Sequence, residues 1–355
     1  MYPEGEGMSL HVFANIVTPY GTAANNRGET EGNVTTLQKL IWMGVPHTSI
    51  SAEAIRFALR RLLAAQEEKG TNRTFNEDTR VNGWKEPDFA SWNADGSTGY
   101  IDDDLLGYMS AEAAKDNAGD EAPETEGKAA EGLFTAGDLP APGPEQSGKK
   151  GKPKPKPKAK GKATVRRGVL EITRAVSLTP WPGDMTFNAA SPAATKSAAK
   201  GEGNNPVPYG TEVHATRYQY GLALTPSRLR DRSRAGKALL ALAALNTVAG
   251  NHSRFLFDFA PESIILRITQ DPAPRLLYCF DTSDDGKTIG ARGLEDRIRS
   301  GDIEPKELFL GGPFAESELG KKLREMGATV PERFGARETV KAAVQHIDAL
   351  LAQEK

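Results

Sequence analysis

Two opposed blocks of charge, side by side in the middle of the chain, limit what it can fold into more than any other feature. From Asp102 to Glu145 there are twelve Asp and Glu against two Lys, a balance of -10, and from Lys149 to Arg167 ten Lys and Arg with no acid, a balance of +10. Runs of like charge set among Ala, Gly and Pro cannot bury enough apolar surface to offset the entropy of ordering. A disordered insertion over about 110–163 is therefore predicted, its KPKPKPKAKGK core extended and self-repelling. Asp102, Asp103 and Asp104 read as the start of that solvated stretch rather than as a cation site, because no Gly-punctuated calcium loop follows them.

Outside these blocks acids and bases nearly balance, and the 355 residues carry a net charge of -2. No run of about 18 apolar residues occurs, and no basic patch leads into an apolar stretch at the amino terminus, so neither a membrane span nor secretion is expected. Cys279 is the single cysteine, and with five scattered His it offers no disulfide and no Cys/His metal spacing. No GxGxxG or GxxxxGK[ST] follows a predicted strand. A cytoplasmic protein without metal or cofactor is the expectation.

With the insertion set aside, an alternation of elements remains. Leu10–Val17 alternates as a strand ended by Thr18 and Pro19. The Gly-, Asn- and Thr-rich run after it reads as a long ordered loop closing in a short apolar turn at Leu37–Trp42. Ser51–Gln66 places Ile55, Leu59, Leu62 and Leu63 on one helical stripe, with Ser51 as N-cap and Glu53 near the positive helix end. Gly168–Leu178 and Glu212–Leu224 alternate as strands; the proline-rich 179–211 between them holds too many breakers for regular structure and is expected to project as a loop. Ser233–Ala249 is a buried, Ala/Leu-rich helix stopped by Gly250, Ser253–Phe259 and Ser263–Thr269 are strands, and Glu338–Leu351 is a final helix. Strand, helix, strand, strand, helix, strand is the ferredoxin-like or RNA-recognition-motif order, an α+β fold.

No active site is visible in this pattern. His11, His47, His214, His252 and His346 are spread over at least four elements, and no Ser or Cys sits in a nucleophile elbow. The basic residues group differently. Arg56 and Arg60 share a stripe opposite the apolar face of the first helix. The preceding loop supplies Asn25, Asn26, Arg27, Asn33, Thr35, Thr36, Gln38 and Lys39, a set of neutral donors and two cations suited to phosphate and sugar. Arg228, Arg230, Arg232, Arg234 and Lys237 open the second helix, offset only by Asp231, where an amino terminus flanked by Arg makes a phosphate site. Three basic groupings on such a core favour RNA over a small molecule.

At these residues the chain resembles a known family. HVFANIVTPYGTAANNRGETEGNVTTLQKLIW, HTSISAEAIRFALRR, HATRYQYGLALT and AGNHSRFLFDFAPESIILR are similar, in that order, to the DevR branch of the CRISPR Cascade backbone subunits, the "Cas seven" superfamily of type I-B-like systems. The resemblance covers most of the chain outside 67–163 and 181–210. It implies a palm of RNA-recognition-motif topology (8–66, 164–180 and 211–300), a fingers insertion (67–163), a thumb loop (181–210) that bends the guide, and a carboxyl-terminal region (301–355) packing on the palm. It also implies a guide-backbone role for Ser49, Ser51, Arg56 and Arg60, and RNA contact for the Asn25, Asn26, Arg27 loop. Phe57 departs from the pattern, standing where relatives often carry a second basic residue. The KPKPKPK tract matches no family motif.

The function this implies is a non-enzymatic, CRISPR RNA-binding subunit, several copies of which polymerise along the guide with other Cascade subunits and present it to target DNA. An RNA endonuclease using His11, His47 or His252 as base, and a DNA-binding autoregulator, are the alternatives; the second lacks a helix-turn-helix signature. Because 110–163 contributes almost no apolar burial, its deletion is expected to leave the melting temperature nearly unchanged. Unfolding of the deletion variant, followed by circular dichroism, refutes the disorder expectation.

Overall fold

The first strand, β1 (His11–Val17), is buried on both faces from Val12 onward, and this decides the layering. The computed structural model describes residues 9–24, 30–111, 163–190, 207–248, 256–283 and 286–353, and it is mixed α+β. After β1 come β2 (Gly21–Ala24), β3 (Thr30–Glu31), β4 (Val34–Thr35), β5 (Lys39–Trp42), β6 (Val45–Ile50), helix α1 (Ala52–Leu63), β7 (Arg73–Asn76), β8 (Val81–Trp84), α2 (Ala90–Asn93), α3 (Ile101–Leu106) and β9 (Gly107–Ala111). Then follow β10 (Ala163–Arg167), β11 (Leu170–Ile172), β12 (Ala175–Ser177), β13 (Met185–Ala190), β14 (Val207–Thr216), β15 (Tyr218–Leu224), α4 (Arg234–Ala243) and β16 (Ser263–Thr269). The last part adds β17 (Asp281–Thr282), β18 (Ile289–Gly290), α5 (Arg292–Arg299), β19 (Leu308–Gly311), α6 (Glu318–Glu325) and α7 (Ala336–Gln353). The chain divides into two units, Met1–Tyr108 with Arg166–Lys355, and Met109–Val165. Nearly all of the segment expected to be disordered, 112–162, lies outside the described residues.

The main sheet runs β19-β16-β1-β15-β12-β6-β5, with β11 also on β15. Every neighbour pair in it is antiparallel. Val12, Ala14 and Ile16 point with Leu222, Leu266 and Ile268 into a layer filled by Ile55, Leu59 and Leu63 of α1, Leu239 and Leu242 of α4, and Val340, Ile347 and Leu351 of α7. Phe13, Val17 and Ile265 point the other way, against Leu276, Phe280, Leu294, Phe314 and Leu323. Each large side chain so buried contributes roughly 1.5–3 kcal/mol, which is why the sheet carries helices or loops on both faces.

Several local expectations give way to the structure. The breaker-rich 179–211 contains β13 and β14, an antiparallel ribbon whose second strand also pairs with β2 and, in parallel, with β4. The prolines sit where they cost least: Pro180 and Pro182 precede β13, and Pro208 is exposed. The strand read as 168–178 is two, because pairing with β15 shifts by one residue between Ile172↔Leu222 and Val176↔Gln219, a bulge that leaves Arg174 exposed. Leu37–Trp42 is no simple turn: β5 and β6 form a hairpin closed by Met43 (φ 50°) and Gly44 (φ 86°), the two left-handed residues of a type I′ turn. Residues 256–259 are not strand; Phe257 and Phe259 instead pack their rings 5.5 and 5.2 Å from Tyr218 and Tyr220. The second helix is regular only over Arg234–Ala243. Helices α5 and α6 and strand β19 have no counterpart in the sequence reading.

The largest departure concerns the acidic block's first residues. Asp102, Asp103 and Asp104 are not solvated; they form the first turn of α3 with relative exposures of 2%, 1% and 0%. Asp102 accepts the backbone N–H groups of Asn72 (2.7 Å) and Arg73 (3.1 Å), and Asp103 accepts the Asn72 side-chain amide at 2.9 Å. Asp104 accepts Arg166 Nη2 at 2.8 Å, Arg234 Nη1 at 3.1 Å, and the backbone N–H groups of Arg230 and Asp231. Arg234 closes the set with Glu67, at 2.8 and 2.9 Å. Asp104→Ala leaves two guanidiniums without their buried carboxylate and is expected to destabilise the protein by about 3–5 kcal/mol; urea unfolding showing a change below about 1 kcal/mol would contradict the assignment.

Candidate nucleic-acid interface

Both faces of the main sheet are covered, which leaves its rims as one candidate surface for a long ligand. One rim is built around β12, β6 and β5. Two buried side-chain amides prepare it: Asn15 Oδ1 accepts Tyr278 N at 3.1 Å, while Gln219 accepts Phe280 N at 3.2 Å and donates to Phe280 O at 3.0 Å. Segment 278–280 is thereby fastened to a sheet face it does not pair with. Gly221 lets this segment approach closely, since a Cβ there would stand 2.4 Å from Leu277 Cδ2 and push that side chain aside. Tyr278 is held with φ 56°, its hydroxyl donating to Arg174 O at 2.6 Å and its ring 5.0 Å from that of Trp42.

Arg174, turned outward by the bulge, donates to Ser49 Oγ at 3.2 Å and to Gln38 Oε1 at 3.4 Å. Lys39 lies 2.5 Å from Glu212 and 4.0 Å above the Trp181 ring. The rim thus gathers an exposed guanidinium, an ammonium, an amide and three aromatic rings, the group types that hold phosphates and stack bases. Of the residues singled out in the sequence, it brings together Gln38, Lys39 and Ser49. Ser51 is the N-cap of α1, its Oγ accepting Ala54 N at 3.2 Å.

The other sequence candidates lie elsewhere. Arg56 donates to Leu106 O, and Arg60 Nε stands 3.6 Å from Asp102. Asn33 is exposed and donates to Pro208 O, tying β4 to the β13–β14 ribbon. Asn25, Asn26 and Arg27 lie outside the described residues. The cluster before α4 departs most from expectation. Arg234 is 2% exposed and paired with Glu67 and Asp104, and Arg230 stacks 3.5 Å from the Trp92 ring centre while donating to Trp92 O and Ser97 O. The backbone donors before this helix are met by Asp104, and Ser233 N by Asp231 Oδ1. The anion anticipated from a nucleic acid is supplied by the protein's own carboxylates at Arg234 and at the backbone donors, while Arg228, Arg230 and Arg232 are exposed, Arg230 being held by Trp92 and Ser97.

The histidines offered as bases are poorly placed for that work. His47 is 6% exposed and donates to Ser177 O at 2.7 Å; His11 is partly buried beside Thr225, and His252 is outside the described residues. His214, 1% exposed, lies 2.7 Å from Thr48 Oγ1, which in turn is 2.7 Å from the Tyr218 hydroxyl. Burial, with His47 adding to it, pushes the His214 imidazole down to about 4, so it is neutral at physiological pH. Among the described residues no group of three or more His, Cys, Asp or Glu is arranged to hold a metal ion.

The sequence reading missed Arg174, Trp42, Tyr278 and Trp181. Arg174 did leave a signal, since it interrupts the apolar phase Leu170, Ile172, Val176, Leu178 where a bulge must re-aim it. Tyr278 left none: its place depends on Asn15 and Gln219, both more than fifty residues before it in the chain.

Comparison with known proteins adds the following. No family model matches the chain. A curated protein of Myxococcus xanthus (strain DK1622), "CRISPR-associated protein Cas7/Cst2/DevR", is 50% identical over 342 residues, 96% of this chain and 99% of its own length. A chain of a solved "CRISPR RNA-guided surveillance complex" shares the fold with a TM-score of 0.50 at 13% identity, over 95% of this chain and 99% of that one.

Behind Arg60, burial and the Asp102 charge raise the Asp103 carboxyl to about 7 from its ordinary 3.8, against the opposing hydrogen bond from Asn72. The native state therefore holds a proton that the unfolded chain releases near pH 4. The stability from this group is full below about pH 4 and is lost as pH rises to about 7, with a limiting slope of about 1.4 kcal/mol per pH unit. Asp103→Asn keeps an acceptor for Asn72 but cannot ionise, so its stability relative to wild type is expected to rise between pH 5 and about pH 7.5. Unfolding curves at a series of pH values that stay parallel for the two proteins would refute the shift.

Proposed function

The chain belongs to the CRISPR-associated Cas7/Cst2/DevR family, and from that membership we propose that it is a CRISPR RNA-binding backbone subunit of a surveillance complex. The observation that carries this is 50% identity along 96% of the chain, too extensive for a shared fold with a different role. Its partners are then the guide RNA, further copies of itself, other subunits of the complex and the target DNA strand. The role is binding, without a chemical step.

In this reading the palm is the unit β1, α1, β11/β12, β15, α4 and β16. Its sheet order of β16, β1, β15, β11/β12 is the 4-1-3-2 order of a β-α-β-β-α-β unit, with α1 and α4 against one face, and this supports an RNA-recognition-motif palm. The ribbon β13–β14 is the thumb, and 67–163 with its β7–β8 hairpin the fingers. The guide backbone runs along the rim of Gln38, Lys39, Ser49 and Arg174 and along the Arg56 and Arg60 stripe of α1, while Trp42 and Tyr278 meet bases. Arg228 and Arg232 remain candidates; Arg230 and Arg234 serve the fold. No helix among the described residues is long and apolar enough to cross a membrane.

A backbone subunit needs a template to set its number, so the mass of the purified particle is expected to follow the length of the guide supplied and to collapse on ribonuclease treatment. A fixed dimer indifferent to RNA, seen by native mass spectrometry, would overturn the reading. The double variant Lys39→Ala with Arg174→Ala is expected to weaken binding alike for all sequences. It should also flatten the log–log salt slope by roughly 0.7 for each lost contact.

A further inference from the structure

Helix α1 and the hairpin β7–β8 enclose an open groove of about 290 Å3 whose walls share no residue with the β5–β6 rim. Three guanidiniums, Arg60, Arg61 and Arg73, line it beside two phenyl rings, Phe57 and Phe75, that meet edge to face with centres 5.1 Å apart. Little negative charge answers them. Arg61 and Glu77 are 3.4 Å apart but both mostly exposed, a pairing worth little in water. Asp102, 3.6 Å from Arg60 Nε, already accepts two backbone N–H groups. Arg60 Nε is buried and donates to nothing. Arg73 lies over the Trp84 ring, 5.3 Å from its centre, and among the described residues no carboxylate pairs with it. Burial lowers the Arg60 guanidinium to about 10, the pull of Asp102 opposing it and the repulsion of Arg73 and Arg56 adding to it. Like charges held together beside an unmet donor are relieved by an anion.

We infer that this groove is a single-nucleotide site, its guanidiniums holding a phosphodiester and its phenyl pair receiving the attached base. Planar Arg forks suit phosphate oxygens in pairs, and phenyl faces stack bases of any identity. A volume near the lower end for small-ligand clefts suits one nucleotide and not a bound cofactor. An acidic peptide would answer the cations but leave the paired rings without a planar partner. The site deepens the RNA-binding reading given above and rests on it: the hairpin β7–β8, and not α1 alone, becomes part of the nucleic-acid surface.

The test uses the full chain stripped of RNA by nuclease. Its probes are a short unstructured RNA carrying one 2-aminopurine, an abasic strand of the same length, and a polyglutamate peptide. Phe75→Ala is expected to weaken the base-bearing RNA about tenfold, the loss of one stacked base, and to leave the abasic strand unchanged; Arg73→Ala weakens both. Arg61→Glu, on a mostly exposed side chain, gives a several-fold loss with no packing to disturb. The 2-aminopurine emission falls on binding to wild type and recovers in Phe75→Ala. If wild type forms RNA-length-dependent oligomers while Phe75→Ala, Arg73→Ala and Arg61→Glu all bind as wild type does, the groove proposal falls and the functional reading stands. If these variants lose only the peptide, the groove belongs to an acidic protein partner and the proposal is overturned. If wild type takes up no RNA at all, both fall.

Discussion

Asp104 has no exposed surface, yet it meets two guanidiniums and two backbone N–H groups that come from two separate stretches of chain. The start of α4, the strand β10 and the turn after α1 all converge on this one carboxylate and its neighbour Glu67. Burying charge in this way adds little net stability, since desolvation consumes most of the Coulombic gain. Its effect is to forbid other arrangements, because any misplaced partner leaves a bare ion in a low-dielectric interior. Asp102 does the same for the root of the β7–β8 hairpin, through the N–H groups of Asn72 and Arg73.

A second constraint follows from the sheet. With Val12, Ala14 and Ile16 buried under helices and Phe13 and Val17 under the carboxyl-terminal region, neither face is free to serve as a binding platform. What the sheet leaves open is its edges and hairpins, where bulges and left-handed residues aim individual side chains. Arg174 at a bulge and Tyr278 at φ 56° are placed in this manner. So is the exposed Met43 at the tip of the β5–β6 turn.

The legible part of the chain was the part whose side chains repeat with a period. The stripe of α1, the strand β1 and the apolar stripe of α7 are all where periodicity put them. What could not be read was charge satisfied at long range. Asp102, Asp103 and Asp104 look like solvent-facing residues until Asn72, Arg166 and Arg234 are brought to them. Arg230 and Arg234 look like phosphate ligands for the same reason. The β5–β6 hairpin was hidden because Met-Gly stands where Asn-Gly or Asp-Gly would have announced a type I′ turn. The β13–β14 ribbon was hidden by prolines that lie at its margins.

The amides of Asn15 and Gln219 act on segment 278–280 as a strand's own backbone would, offering acceptors to the N–H groups of Tyr278 and Phe280 and a donor to the Phe280 carbonyl. They sit on adjacent strands, β1 and β15, whose register pairs Asn15 with Gly221 and Val17 with Gln219. The aim of the Tyr278 ring is therefore written into the register of two strands that do not belong to the rim themselves. A slip of one residue in either strand would carry an amide through to the opposite face. The aromatic rim can change its chemistry from one descendant sequence to the next by altering Trp42 or Arg174, but it can change its position only by rebuilding the sheet beneath it.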